Sequence, residues 1–426
     1  MLRFRTDPNP NAARIKKKFG IKMSNRMTVP AVAAFLASAS IPLYIHLPSY
    51  AAELGIGLGT IGFILLGLRA LDFVQDPFLG RMVDRCPSYR SLFATIAFLG
   101  MGLGFMIAFV MQPGLLGLVV GLVLVFTAFS LGTILFYGQG AEIVGKKSQE
   151  EHLRFAGLRE TGALAGIVVA AIAPGILGAH FGALKGYSLF GLLLVFASLI
   201  VWRQSRHFWM PIATKAPASQ SFRALLQPAI FLLLMIALLN ALPVAVTSTL
   251  FLFFVEDRLQ LPDLSGIFLL LFFLTAGVSA PLWSRVAASV GARKVLLFAM
   301  GLAILSFIGA FTLPVGAAWQ FGIISAVSGA ALGADMVILP ALFAAALVKQ
   351  GVATGIGFGV WAFAAKISLA LAAVIVLPAL QYAGFQPGAK NTEDAVQSLN
   401  FLYAILPCVL KLLAMVFVAR LPDADA

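Results

Sequence analysis

Twelve apolar stretches, separated by short polar loops, dictate what this chain can fold into. A bilayer's hydrocarbon core is about 30 Å thick and takes about 20 helical residues to cross. Within it every backbone N–H and C=O must be bonded inside its own segment, so such stretches fold as helices. The sequence is 61% hydrophobic and only 11% charged, against about 25% charged in soluble domains. The expected fold is therefore all-α, a polytopic membrane protein of twelve transmembrane helices. Expected limits are 28–53, 58–82, 91–112, 115–143, 156–180, 185–203, 222–255, 262–286, 293–314, 317–345, 354–384 and 396–420.

The net charge of +13 does not mark a nucleic-acid binder, because the basic residues fall in loops on alternate sides of the spans. One side carries Arg81, Arg85, Arg90, Lys146, Arg154, Arg203, Arg285, Arg293, Lys294, Lys349 and Arg420. The other carries Lys185, Arg258 and Lys390 beside the acids Glu256, Asp257, Asp263, Glu393 and Asp394. By the positive-inside bias both termini are expected in the cytoplasm of a bacterial inner membrane. Residues 1–27 hold eight Lys/Arg against one acid, Asp7, and read as an uncleaved basic tail that sets topology, with contact of 16–18 with anionic headgroups as the alternative. Met23 or Met27 is an alternative start.

The longest polar connection, 204–221, divides the chain into two six-helix bundles, 28–203 and 222–420, with a short tail at 421–426. The ends of spans two (PFLGRMVDRCPSYR) and eight (PLWSRVAASVGARK) echo each other at the same place in each half. Two cysteines imply no disulfide framework, and four scattered histidines have no ligand spacing. With no nucleophile–base constellation either, an enzyme is not expected, nor a cofactor or a bound metal other than Na⁺.

Span two breaks the apolar rule. Arg69, Asp72 and Asp76, at offsets of 3 and 7, share one helical face. A carboxylate in hydrocarbon costs at least about 2.5 kcal/mol on insertion scales, so this face is expected to line a polar seam. At 1.5 Å per residue Asp72 lies about 21 Å along its span and Lys366 about 18 Å along span eleven, both near the midplane. Lys366 has no acid on its own helix, so Asp72 and Asp76 are its expected partners. Asp84, Arg85, Glu142 and Asp335 are expected as gate contacts on the basic face. Tyr137, Gln139, Asn240 and Trp361 are candidate solute contacts. Lys411 is given no role.

RALDFVQDPFLG, with Arg69, Asp72, Asp76, Pro77 and Gly80, resembles the second-helix signature R-x-x-D-x-x-x-D-P-x-x-G. That signature belongs to the glycoside–pentoside–hexuronide:cation symporters, the melibiose permease group of the major facilitator superfamily. NALPVAV, GADM and GVWAFAAK resemble that group's pattern in spans seven, ten and eleven. The resemblance implies the major facilitator fold, a coupling cation (Na⁺, Li⁺ or H⁺) on Asp72 and Asp76, and a coupling role for Lys366. The chain departs from the permease in two places. Phe129–Tyr137 has no acid, leaving hydroxyls such as Ser130 and Thr133 to complete a Na⁺ site, and Leu36–Pro48 lacks the sugar-holding aspartate. Those departures favour H⁺ alongside Na⁺ and a solute other than a galactoside.

The expected activity is cation-coupled symport of a small polar solute, such as a sugar or glycoside, by alternating access. An uncoupled facilitator or an exporter of an amphipathic solute is the first alternative; a non-transporting receptor or assembly protein is the second. Expected partners are the solute and membrane lipid, with the protein a monomer.

Overall fold

The computed structural model describes residues 23–111, 114–146, 148–210, 221–386 and 391–421. The basic tail through Lys22, most of the linker (211–220), Lys390 and the last five residues lie outside them. Among the described residues there are helices and no strands. Span one is Met23–Ile45, followed by a short helix Leu47–Glu53; spans two to six are Leu58–Arg85, Arg90–Phe105, Gly114–Val144, Gln149–Phe181 and Ala183–Ser205. Spans seven to eleven are Pro228–Phe253, Ser265–Val290, Ala292–Ile308, Ala318–Gln350 and Thr354–Tyr382. Span twelve comprises Glu393–Asn400, a wider π-helical turn, and Leu406–Val418.

Ten of these helices, some with a flanking turn, are long and apolar enough to cross a membrane. The other two expected spans are the first, whose apolar stretch is Met27–Ala39, and the second, long enough at 28 residues but interrupted by charge.

Packing follows one plan twice. Span one lies against five and six, two against four, and three against four and six. Span seven lies against eleven and twelve, eight against ten, and nine against ten and twelve. The groups meet where span two packs on eleven and span five on eight. One apolar core, from Val29 to Trp209, lies wholly within the first six spans. Two more lie in the second half: one nearer the basic face, around Leu296, Phe343 and Ile356, takes in Ala141, Leu153 and Ala156 of spans four and five; the other surrounds Phe254, Phe321 and Tyr403.

The seam is tight because glycine lines it. A Cβ on Gly80 would stand 2.3 Å from the Gly355 carbonyl oxygen, and one on Gly359 2.7 Å from that of Asp76. Spans two and eleven thus touch backbone to backbone, as small residues allow between membrane helices.

Candidate functional site

Span two turns Phe63, Leu66, Val74 and Phe78 outward, where lipid would lie, and buries Asp72 and Asp76 at 1% and 0% exposure. Its acidic face therefore meets spans four and eleven. Lys366 reaches across from span eleven, with Nζ 3.0 Å from Asp72 Oδ1 and 2.8 Å from Asp76 Oδ2. It donates to Ser130 Oγ of span four at 2.9 Å. The contact with Asp76 is an ion pair.

Gln75 donates to Asp72 Oδ1 (2.8 Å) and accepts from Thr127 (2.9 Å), which fixes the carboxylate's rotamer from span four. Arg69 stands 3.8 Å from Asp72 Oδ2 and remains 27% exposed, so it is a secondary partner. Two carboxylates thus share one close ammonium. Asp72 Oδ2, Asp76 Oδ1 and the buried Thr133 hydroxyl have no hydrogen-bond partner. Buried oxygens without donors are costly, and the second positive charge, on Arg69, stands farther off than the Lys366 ammonium. A proton or an alkali cation relieves that cost.

On the basic-face side of this cluster the seam is latched. Asp84 accepts the Gly355 N–H (2.9 Å) and that of Ile356, capping the N-terminus of span eleven from span two. Glu142 is held by Arg90 through both guanidinium nitrogens and accepts from Thr354 at 3.0 Å. Ser284 of span eight donates to the Leu153 carbonyl of span five at 2.8 Å, and Arg159 to that of Met336 at 3.3 Å. Asp84 and Glu142 thus stand in contacts that join the two groups, whereas Arg85 is exposed.

Three expected placements are corrected. Gln139 donates to the carbonyls of Phe208 and Met210 (2.7 and 3.1 Å) and accepts from Arg90 (3.1 Å). Its amide anchors the start of the linker, where Trp209 is buried, and both of its N–H donors are spent there. Asp335 lies mid-helix rather than toward the end of its span, because span ten runs on to Gln350. There it accepts from Lys411 of span twelve, which also donates to Asn240 of span seven. Asn240 is therefore committed to the same buried cluster rather than to the seam.

Tyr137 and Trp361 are half-buried. The Arg159 guanidinium lies 4.0 Å from the Tyr137 ring centroid, and Trp361 packs on Phe343 at 4.9 Å. Arg159, paired with Glu160 at 2.7 Å, was missed by sequence reasoning. The burial cost that marks span two applies equally to a charged doublet ten residues inside span five. Arg90 and Thr354 were missed because the first reads as a loop charge and the second as an ordinary helix start. Gln75 was legible, three residues after Asp72.

Paired six-helix groups meeting at a charged, partly unsatisfied seam have the architecture of a secondary transporter, an integral membrane protein and not an enzyme. The profile of the MFS/sugar transport protein family matches residues 27–423, and the chain belongs to that family, within the major facilitator superfamily. No curated protein matches the sequence significantly. Among solved structures, a bacterial homologue of the iron transporter ferroportin in an outward-facing state superposes with a TM-score of 0.67 at 18% identity, covering 94% of this chain and 99% of that one. The transporter FucP in an outward conformation gives 0.67 at 13% identity, covering 93% and 98%. The human organic anion transporter MFSD10 gives 0.65 at 14%, covering 93% and 100%. At these identities the likeness is one of fold.

Proposed function

We propose that this transporter is a symporter of the melibiose-permease type, in which H⁺ or Na⁺ binding at Asp72 and Asp76 drives uptake of a small polar solute, a sugar or glycoside. The observation that carries this reading is the Lys366 ammonium shared by two carboxylates across the seam, with one oxygen of each accepting no hydrogen bond. A cation that neutralises either carboxylate loosens the hold of Lys366 on span two. The tie between spans two and eleven weakens, and the latch at Asp84 and Glu142 is then free to open as the groups rock. Thr133 and Ser130 supply hydroxyl oxygens for Na⁺; for H⁺ one carboxylate suffices. In this reading the basic face and both termini are cytoplasmic in a bacterial inner membrane, and one monomer carries one solute path.

The test is uptake by proteoliposomes across a panel of sugars and glycosides, with a Na⁺ gradient and a pH gradient imposed separately. Accumulation under one gradient, abolished when that gradient is collapsed, supports symport. Transport that only equilibrates under both gradients refutes coupling.

A further inference from the structure

We propose that Asp335, Lys411 and Asn240 form a second monovalent-cation site, buried inside the last six spans and away from the seam. Lys411 Nζ donates to Asp335 Oδ2 and to Asn240 Oδ1, joining spans twelve, ten and seven. The three residues are 6%, 5% and 6% exposed. Asp335 Oδ1 has no hydrogen-bond partner. Asp335 and Lys411 line a cavity of about 60 Å³ with Pro243, Thr247, Ser328 and Cys408. A water needs about 10–15 Å³ of such space, so the cavity admits a small cation with water.

The donor set repeats that of the seam: an aspartate, a lysine from another helix, a carboxamide, a serine and a threonine. Thr247 and Ser328 donate to the Val244 and Ile324 carbonyls of their own helices (3.0 and 2.6 Å), and their oxygens keep lone pairs for a cation. Pro243 removes the helical donor to the carbonyl four residues back, exposing one more oxygen on the same helix. Asn240 lies between Ile236 of one core and Ala245 of the other, and Lys411 between Val418 and Ala404, whereas Asp335 adjoins Ala334 and Val337 of the first. The cluster interrupts the apolar packing that a purely structural clamp would serve.

Lys411 occupies the position of the cation, so H⁺ or Na⁺ binds Asp335 in exchange for its ammonium. Other charges on the helices packed around the pair are few. Arg159, beside Glu160 on span five, donates to the carbonyl of Met336, the residue after Asp335. Lys366 on span eleven is engaged by Asp72 and Asp76, and Glu142 on span four by Arg90. Arg285, Arg293 and Lys294 stand near the basic ends of spans eight and nine, and Glu256, Asp257 and Arg258 follow the far end of span seven.

The test uses the full chain in nanodiscs, in an Asp72→Asn/Asp76→Asn background that removes the seam site, so that failure of the symport reading does not decide it. Lys411→Met is melted in choline chloride at alkaline pH, then with NaCl, and separately at acid pH. Unpaired Asp335 is expected to lower Tm in choline and to bind the cation at least tenfold more tightly than with Lys411 present, so that Na⁺ or acid restores Tm. The restoring condition tells Na⁺ from H⁺. The Asp335→Asn/Lys411→Met chain should show no such ion-dependent recovery. Lys411→Gln serves if Lys411→Met does not fold. Absence of recovery under both conditions, or recovery that persists without Asp335, overturns the proposal.

Discussion

In the first half, Asp72 and Asp76 stand on the face of span two that meets span eleven, and one apolar core runs behind them from Val29 to Trp209. In the second half, Asp335 sits within the bundle, tied to Lys411 beside Ala334 and Val337 of one core. The pairing plan of the helices is the same in both. A charge on the seam changes its partner when the halves move, so it can couple an ion to that movement. A charge inside one half keeps its neighbours during rigid-body rocking, and responds only to what occupies the space beside it.

The largest expected effect breaks the seam side of this contrast. Asp76→Asn should abolish concentrative solute uptake in proteoliposomes, leaving at most equilibration, while the protein stays folded by size-exclusion profile. Concentrative uptake at the parental level would remove the acidic pair from the coupling path. Lys366→Met should leave two carboxylates without their shared ammonium. Removing one partner of a buried pair costs about 3–5 kcal/mol, to be read as reduced stability at neutral pH that Na⁺ or acid relieves.

Inside the second half, replacing both partners should be far milder than replacing one. Asp335→Leu/Lys411→Met is expected within about 1–2 kcal/mol of the parent, because two apolar side chains leave no stranded charge. Comparison with Asp335→Leu alone in chemical denaturation checks this. Asp84→Ala should remove two charge-assisted bonds to span eleven. At about 1–3 kcal/mol, the closed basic face is expected to lose about tenfold or more in population, seen as a longer distance between spin labels on the basic ends of spans two and eleven. The smallest effect is expected at Arg69→Gln. A contact at 3.8 Å from a partly exposed guanidinium is worth about 0–1 kcal/mol, so thermal stability should scarcely change.

Much of this was legible in the sequence. The apolar stretches gave the helices, and offsets of 3 and 7 put the span-two charges on one face. The depth of Lys366 matched it with Asp72 and Asp76, and the contact is present. The reading of Asp335 failed because its span was ended at 345, whereas the helix continues to Gln350. Polar residues continue a helix without a change in backbone bonding, so hydropathy marks the hydrocarbon boundary and not the end of the helix. Gln139 was misplaced because a lone polar residue on an apolar span does not reveal which neighbour it faces; its partners, Phe208 and Met210, lie across the first half.

The order of residues along the chain determined the solvent, the helices, and which side chains share a helical face, since all three follow from hydropathy and the fixed pitch of the helix. Tertiary structure alone decided that Lys411 serves Asp335 and that Asp84 caps span eleven. Each pairing depends on how far a helix is rotated about its own axis against its neighbours. Close packing, such as that of Gly80 on Gly355, sets that rotation between segments far apart in the chain.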